Sequence, residues 1–217
     1  MEAEFWHQVW QQDQLGFQLE DAHPLLRAHF CVLPVADRIF VPLCGKSPDL
    51  RWLAQHCQVI GAELSAIACR DFFTESGLIA TQHAAEAFQV WQAARYQLWQ
   101  GDFFQLPAIA VQHCQLIYDR AAMIALPAAM RLQYATQLQT LFPAATMLLI
   151  SLEYPEQEKQ GPPFAVFETE LRTLFPAASI ALVAIRDLTG IGFARRKFAT
   201  SRLLEKAWLI QWAEPAI

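Results

Sequence analysis

The chain has 217 residues, a net charge of −5, 54% hydrophobic residues and only 17% charged residues. This composition excludes a disordered chain and predicts one globular domain with a full core. The most basic stretch, Arg195-Arg196-Lys197, is too short for a nucleic-acid partner, and no apolar run approaches the ~18 residues of a membrane span.

The cysteines and histidines argue against a disulfide-bonded secreted protein and against a metalloprotein. Five cysteines without a CxxC pair predict reduced thiols, and the acidic, aromatic N-terminus is unlike a signal peptide, so we expect a cytoplasmic protein. The six histidines lack the spacing of a metal motif, so we expect no metal site. We also expect a monomer whose partner is a small molecule.

Short β-like runs alternate with helical patterns along most of the chain. Seven strands are predicted, at residues 38–42, 58–64, 96–101, 116–119, 145–153, 180–186 and 206–212. Ser47 is a predicted helix N-cap between the first two strands, and Ser65 caps a second helix that ends near Gly77. Pro127 opens a third helix, and a fourth helical pattern covers residues 167–175.

This alternation predicts an α/β fold, in which a mostly parallel sheet of seven strands carries helices on both faces. Little room remains for a helix between the last two strands, so the closing strand is expected to be antiparallel and at the edge. No linker is visible, so residues 1–217 form one predicted domain. Residues 1–35 are expected to form a lid over the ligand-binding carboxyl ends of the strands, and the polar loop 155–163 is a second candidate lid.

The first strand leads into the turn "VPLCGKS", which resembles part of a nucleotide site. A P-loop needs a glycine five positions before Gly45-Lys46, where this chain has Phe40, so the phosphate cradle is missing. Glu63 ends the second strand, where Rossmann-type folds bind two ribose hydroxyls, although it could also be an ordinary acid before the Ser65 cap. A dinucleotide would need three glycines, so a nucleoside without phosphates, such as S-adenosylmethionine, fits this turn better.

Six segments resemble, in order, the successive blocks of the bacterial thiopurine S-methyltransferase family. They are "FWHQVWQQDQLGF", "VPLCGKSPDLRWLA", "GAELS", "GDFFQL", "YDRAAMIALP" and "SLEYPEQEKQGPPF", and "RLLEKAWLI" resembles the family's closing strand. The resemblance implies the class I, Rossmann-like fold of S-adenosylmethionine-dependent methyltransferases, with S-adenosylmethionine as the cofactor. It also implies methyl transfer to thiopurines and other aromatic or heterocyclic thiols, with selenium or tellurium compounds as further acceptors.

The resemblance assigns roles to eight residues. Cofactor contacts are implied at Trp6, Trp10, Leu43, Glu63, Asp102, Phe103 and Arg120. An acceptor contact is implied at Phe17, and the place of Arg120 at a strand end makes it also the candidate acceptor-binding and catalytic residue. A further substrate arginine of the family corresponds to Arg195 or Arg196, in a region where "FATSRLLEK" departs from the family pattern.

Each of these roles has a competing structural interpretation. Trp6 and Trp10 share one helix face and could cover a sulfonium cation, or could only anchor the N-terminal segment. Asp102 could recognise an adenine edge while a phenylalanine beside it stacks on the ring. Phe103 and Phe104 are the candidates for this stacking, and both could instead be core residues.

Arg120 follows the fourth strand, and its guanidinium could grip a methionyl carboxylate, favour an anionic thiolate, or pair with Asp119. Two other functions stay open at this point. An NAD-dependent oxidoreductase would share the sheet and Glu63, but the missing glycines disfavour it. A non-catalytic ligand- or metalloid-binding protein of the same fold could keep Glu63 without turnover.

Overall fold

Nine strands build one sheet in the computed structural model, which describes residues 3–194 and 197–213. They are β1 (Arg38–Val41), β2 (Gln58–Glu63), β3 (Thr81–Ala85), β4 (Phe88–Ala93), β5 (Tyr96–Gln100), β6 (Leu116–Arg120), β7 (Ala145–Glu153), β8 (Ser179–Asp187) and β9 (Leu204–Trp212). Their order across the sheet is β3-β4-β5-β2-β1-β6-β7-β9-β8. The five strands from β5 to β7 are parallel, so their carboxyl ends meet at one edge.

Helices cover both faces of this sheet. In the described part of the chain they are α1 (Ala3–Gln11), α2 (Pro24–His29), α3 (Pro48–Leu53), α4 (Ala66–Glu75), α5 (Ala122–Ala125), α6 (Ala128–Leu141) and α7 (Glu168–Leu174). Because side chains alternate along a strand, Ile39 and Val41 of β1 pack in a core with α2, α3 and α4. Phe40 points to the other face and packs in a second core with α5, α6 and α7.

The predicted helix signals are confirmed. The Ser47 hydroxyl accepts from the Asp49 amide at 3.2 Å, and the Ser65 hydroxyl accepts from the Ala68 amide at 3.4 Å. Gly77 has a φ of +66° just after α4, the left-handed conformation that ends many helices. None of the helices in the described ranges is both long and apolar enough to cross a membrane.

The expected strand number of seven is too low, because β3 and β4 were not predicted. They form an antiparallel hairpin that extends the sheet beyond β5. Four of the five β3 residues are exposed, so no apolar alternation marks this strand in the sequence. The hairpin is nevertheless anchored, since the buried Phe88 packs edge-on against Trp99 of β5 with ring centroids 5.9 Å apart.

The antiparallel closing strand is also not at the edge. β9 runs antiparallel to both β7 and β8 and lies between them, which leaves β8 as the edge strand. The burial pattern fits these positions: Trp208 of β9 lies in one core and Ala207 in the other, whereas Leu182 and Ile185 of β8 are 45% and 51% exposed. A strand inside a sheet that is covered on both faces contributes to both cores, and an edge strand is less well covered.

Candidate functional site

A cavity of about 370 Å³ opens at the carboxyl ends of the parallel strands. Small-molecule sites in open α/β sheets occupy this position, and the volume lies within their usual range of roughly 300–1,000 Å³. Seven of the eight predicted site residues line the cavity: Trp6, Trp10, Phe17, Leu43, Glu63, Asp102 and Phe103. The structure therefore brings these seven residues together at one edge of the sheet, and their individual roles stay predictions.

The turn between β1 and α3 forms one wall of the cavity with its backbone. Leu43 and Gly45 both have positive φ, +45° and +54°, and the Cys44 amide between them donates to the Ala62 carbonyl at 3.0 Å. A Cβ on Gly45 would stand 3.2 Å from Cζ2 of Trp10, closer than side chains usually approach. Glycine is therefore required here by conformation and by the tryptophan above it.

Glu63 ends β2 beside this turn, and its carboxylate serves two purposes. Its oxygens accept from the backbone amides of Gly45 at 2.8 Å and Ser65 at 2.7 Å. Burial raises the pKa of the Glu63 carboxyl, while the hydrogen bonds from Ser65 and Gly45 oppose that rise. The helix-start interpretation is thus correct in part, but the same carboxylate also lines the cavity and retains lone pairs for a ligand hydroxyl.

Asp102 and two phenylalanines follow β5. Asp102 is exposed, lines the cavity, and accepts from the Phe104 amide at 3.0 Å. Phe103 is only 2% exposed and packs against Phe40 and Tyr134, so most of its ring belongs to the core. Phe104 is half-buried and also lines the cavity, so it is the better placed of the two to stack on a ligand ring.

Arg120 is the one predicted site residue that does not line the cavity. It is 9% exposed, donates from Nη2 to the Phe17 carbonyl at 3.1 Å, and sits 5.6 Å from the ring centroid of Phe193. Its Nε has no hydrogen-bond partner within the described part of the chain. The guanidinium is therefore buried directly behind two aromatic residues that do line the cavity.

The predicted alternative of an Arg120–Asp119 ion pair is wrong, because Asp119 has other partners. Its carboxylate is fully buried and accepts from the Ala122 and Met123 amides at 3.1 and 3.2 Å and from the Tyr134 hydroxyl at 2.7 Å. Burial raises the pKa of Asp119 to about 6, against the opposing effect of these hydrogen bonds. The carboxylate holds the turn at Ala121, which lines the cavity with a φ of +89°.

The N-terminal segment divides into two parts, so the predicted lid over residues 1–35 is too long. The rings of Trp6 and Trp10 meet the Phe17 ring edge-on, with centroids 6.0 and 6.1 Å apart, and all three residues line the cavity. Further along, Leu26 is buried in the core. His23 anchors this second part, since its amide donates to Asp49 Oδ1 at 2.6 Å and its Nε2 lies 2.9 Å from Glu205 Oε1.

Sequence reasoning missed the wall opposite Glu63. Pro162 and Pro163, in the loop after β7, line the cavity, and that loop had been predicted only as a second lid. Phe193, between β8 and β9, also lines the cavity and had no assigned role.

Arg195 and Arg196, the candidates for a substrate arginine, lie outside the described residues. Within the described ranges no cluster of His, Cys, Asp or Glu is suited to a metal ion.

The donor set fits a nucleoside cofactor without phosphates. A carboxylate at the end of β2 can accept ribose hydroxyls, and Asp102 stands one strand further along at the end of β5. Most of the remaining lining is apolar, and the turn at Gly45 has no series of free amides to cradle phosphates. The residues present therefore match S-adenosylmethionine rather than a dinucleotide.

Solved structures agree with this reading of the fold. A SAM-dependent methyltransferase from Anabaena variabilis aligns with a TM-score of 0.67 at 17% identity, covering 96% of this chain and 94% of that chain. A 1,6-didemethyltoxoflavin-N1-methyltransferase from Burkholderia thailandensis, solved with S-adenosylhomocysteine, aligns with a TM-score of 0.59 at 12% identity, covering 98% and 87%. The class of protein that this fold and site define is an S-adenosylmethionine-dependent methyltransferase.

Sequence comparison gives the family. The thiopurine S-methyltransferase family (TPMT) matches residues 1–213. Proteins named thiopurine S-methyltransferase from Pseudomonas fluorescens and Shewanella oneidensis are 46% identical over 169 and 170 residues, 76% of this chain and 78% of each relative. The chain belongs to the thiopurine S-methyltransferase family and uses S-adenosylmethionine. The predicted fold class, enzyme class and cofactor are confirmed, and the oxidoreductase and non-catalytic alternatives are set aside.

Proposed function

We propose that this methyltransferase methylates the sulfur atom of thiopurines and of other aromatic or heterocyclic thiols. The observation that carries the proposal is Arg120, a buried guanidinium with no acidic partner at ion-pair distance among the described residues, held against the wall of an apolar cavity. The nearest buried carboxylate, Glu205, is already paired with His23 and Arg186, so the Arg120 cation still favours an anionic ligand. An aromatic thiol of low pKa arrives as such an anion, a thiolate. Relatives named thiopurine S-methyltransferase support the same acceptor class.

The order of the strands suggests how the cavity is shared between the two ligands. Neighbouring strands lie ~4.8 Å apart, so the ends of β5, β2, β1, β6 and β7 span ~19 Å. Asp102 and Glu63 stand at the first two of these strand ends, where we place the adenosine. Phe17, Pro162 and Phe193 converge beyond β6, where we place the acceptor.

In the proposed reaction, the residues of the chain hold the cofactor and the acceptor and orient them toward each other. The bound cofactor supplies an electrophilic methyl group on a sulfonium sulfur. Glu63 would accept the ribose hydroxyls and Asp102 the adenine amino group, while Trp6, Trp10 and Leu43 enclose the centre and exclude water. The positive charge of Arg120, behind the part of the wall that Phe17 and Phe193 form, would favour a thiolate or the methionyl carboxylate in the cavity.

No general base is needed in this scheme, because an acidic thiol is already ionised in water. The chain contributes position, which is worth up to ~7–11 kcal/mol in favourable intramolecular reactions. Selenols are more acidic than thiols, and their anions are softer nucleophiles than thiolates, so we extend the proposal to selenium and tellurium compounds. The free state of all five cysteines supports the expected cytoplasmic location, and we retain the monomer as a proposal.

We also propose that the residues from α1 to Gln18 form the lid, a shorter segment than the sequence suggested. Phe17 accepts from Arg120 through its carbonyl, and the Gln18 side chain donates to the Lys46 carbonyl at 3.0 Å. These two polar contacts, together with the rings of Trp6 and Trp10, close the segment over the cavity. Such a closure sequesters the reacting atoms from water.

The test is methyl transfer from S-adenosylmethionine carrying a radiolabelled methyl group. Mercaptopurine, thiophenol and a selenol are offered in turn, and the expected product is the labelled thioether or selenoether, formed at a rate that saturates with both substrates. Calorimetry on the same sample establishes that the cofactor binds. A protein that binds the cofactor but labels none of the sulfur acceptors contradicts the proposed acceptor class.

A further inference from the structure

The ring of Phe193 contacts the cavity and the Arg120 guanidinium at once. Phe193 is 3% exposed, and part of its surface forms the cavity wall. The guanidinium carbon of Arg120 lies 5.6 Å from its ring centroid, within the range of a cation–π contact. Since Nη2 of Arg120 is already bonded to the Phe17 carbonyl, the guanidinium is fixed from two sides by residues that line the cavity.

The loop that carries Phe193 is fastened to the sheet. At its base the Leu188 amide donates to the Leu203 carbonyl at 2.8 Å, and the Leu203 amide donates to the Thr189 hydroxyl at 3.0 Å. Inside the loop, the Phe193 ring meets the Phe198 ring edge-on with centroids 6.3 Å apart, and Phe198 in turn meets Tyr154 at 5.5 Å. The ring of Phe193 is therefore held by a packed aromatic row rather than free to swing.

We propose that Phe193 determines acceptor specificity by selecting acceptors that carry an aromatic ring. The inference rests on the proposed function and goes beyond it by naming the residue that reads the acceptor's ring. Phe193 gives that ring a flat apolar partner, while the Arg120 cation, which the Phe17 carbonyl holds independently of Phe193, favours the thiolate of any thiol. A thiol without a ring gains only the second of these two effects.

The two effects predict a difference between acceptors rather than a general loss. A well-placed aromatic pair adds a modest term beyond area burial, so removing the Phe193 ring should weaken an aromatic acceptor by about tenfold. An aliphatic thiolate has no ring to lose, so it should change by about twofold or less. The loss should fall on KM for the acceptor, because the ring contact exists before and during methyl transfer.

The experiment compares Phe193→Met with Phe198→Met. Methionine keeps much of the volume of phenylalanine but has no aromatic face, which limits the loss of stability. Phe198 is buried to a similar degree, at 8% exposed against 3%, and belongs to the same aromatic row but does not line the cavity. Phe193→Leu is a second variant without a ring, for use if the methionine variant does not fold.

Thiophenol is the aromatic probe and methyl thioglycolate is the aliphatic one. For each variant we measure kcat and KM, and we measure binding of both thiols by calorimetry with saturating S-adenosylhomocysteine. We expect the Phe193 variants to raise KM and Kd for thiophenol about tenfold while both values for methyl thioglycolate and the Kd for S-adenosylmethionine stay within twofold. Phe198→Met should leave all of these values within twofold.

Equal losses for both thiols, or an equal loss in Phe198→Met, would overturn the assignment, as would weaker cofactor binding. The wild-type protein separates this inference from the proposed function on which it rests. If wild type neither binds nor methylates any thiol, the proposed function is wrong and the inference falls with it. If wild type methylates both probes and the Phe193 variants do not discriminate between them, only the inference is wrong.

Discussion

The two ends of the cavity are built in different ways. At the proposed cofactor end, Glu63 and Asp102 stand at or just beyond the last residue of a strand, and hydrogen bonds from nearby amides fix each carboxylate. At the proposed acceptor end, Phe17, Pro162 and Phe193 come from three loops that are distant in sequence. The first end depends on single polar groups, whereas the second depends on apolar surfaces that several residues share.

This difference has a consequence for mutation. Removing a polar group that forms directed hydrogen bonds costs a large, localised amount of free energy, and its buried partners are left unsatisfied. Removing one wall of an apolar surface costs less, because the other walls remain. Substitutions at the cofactor end should therefore abolish binding, and those at the acceptor end should change preference among acceptors.

The largest expected effect is at Glu63. Each hydrogen bond to a charged group contributes ~1.5–3 kcal/mol, so losing two ribose contacts in Glu63→Ala should weaken S-adenosylmethionine binding by at least about a hundredfold. Calorimetry measures the affinity, and urea unfolding checks that the variant still folds. Glu63→Gln keeps one carbonyl oxygen, so its affinity for S-adenosylmethionine is expected to lie between those of the wild type and Glu63→Ala. Unchanged affinity in the folded alanine variant would remove Glu63 from the cofactor site.

The next effect concerns Asp119, which lies between the two ends. Its pKa is raised from 3.8 to about 6 in the folded protein, so the folded state binds this proton more tightly than the unfolded state. The resulting stability is present below pH ~4 and is lost as the pH rises through 6, a change of ~3 kcal/mol. Asp119→Asn can still accept from the Ala122 and Met123 amides but does not titrate.

Urea unfolding of wild type and Asp119→Asn at pH 4 and pH 7 measures this effect. The difference in unfolding free energy between the two proteins should change by ~2.4 kcal/mol in favour of the variant at the higher pH, since the unfolded carboxyl is already partly ionised at pH 4. Other titrating groups are common to both proteins and cancel. Parallel pH curves for wild type and variant would show that burial does not raise the pKa of this carboxyl.

A smaller effect is expected for Arg120→Lys. Lysine keeps the charge but loses the planar fork and the broad face that stacks on Phe193. We expect kcat/KM for an acidic aromatic thiol to fall about tenfold, or ~1.4 kcal/mol, while the melting temperature stays within ~2–4 °C. The deficit should shrink for acceptors that carry no negative charge. A variant that melts far earlier but transfers the methyl group normally at low temperature would make Arg120 structural.

The smallest expected effect is the change in the proposed lid when the cofactor binds. Cofactor binding should slow proteolysis within residues 11–14 and change tryptophan fluorescence, because Trp6 and Trp10 line the cavity that the ligand fills. Limited digestion with and without saturating S-adenosylmethionine measures the first change. Cleavage elsewhere on the chain is the internal control. Equal cleavage rates at residues 11–14 would show that this segment does not respond to the ligand.

The same contrast explains what could be predicted from the sequence. Glu63 was predicted because the end of its strand is visible as the last residues before the Ser65 helix cap, whereas Asp102 was predicted from the resemblance to the family. The exposed β3 gave no apolar alternation, and the place of β9 inside the sheet depends on which strands are buried on both faces. Phe193 was missed because its partner, Arg120, is distant in sequence, and no local pattern marks a pair that only folding brings together.

The hairpin of β3 and β4 also contacts the chain between the two carboxylates Glu63 and Asp102. A Cβ on Gly101 would lie 2.6 Å from Cδ1 of Phe88, so the hairpin presses its aromatic ring against bare backbone. The Gly101 amide donates to the Glu63 carbonyl at 2.9 Å, and the next residue is Asp102. The backbone of Gly101 therefore connects Glu63 to Asp102, and the Phe88 ring packs directly against it. We therefore expect a substitution of Phe88 to shift Gly101 and, with it, the two carboxylates of the proposed cofactor end.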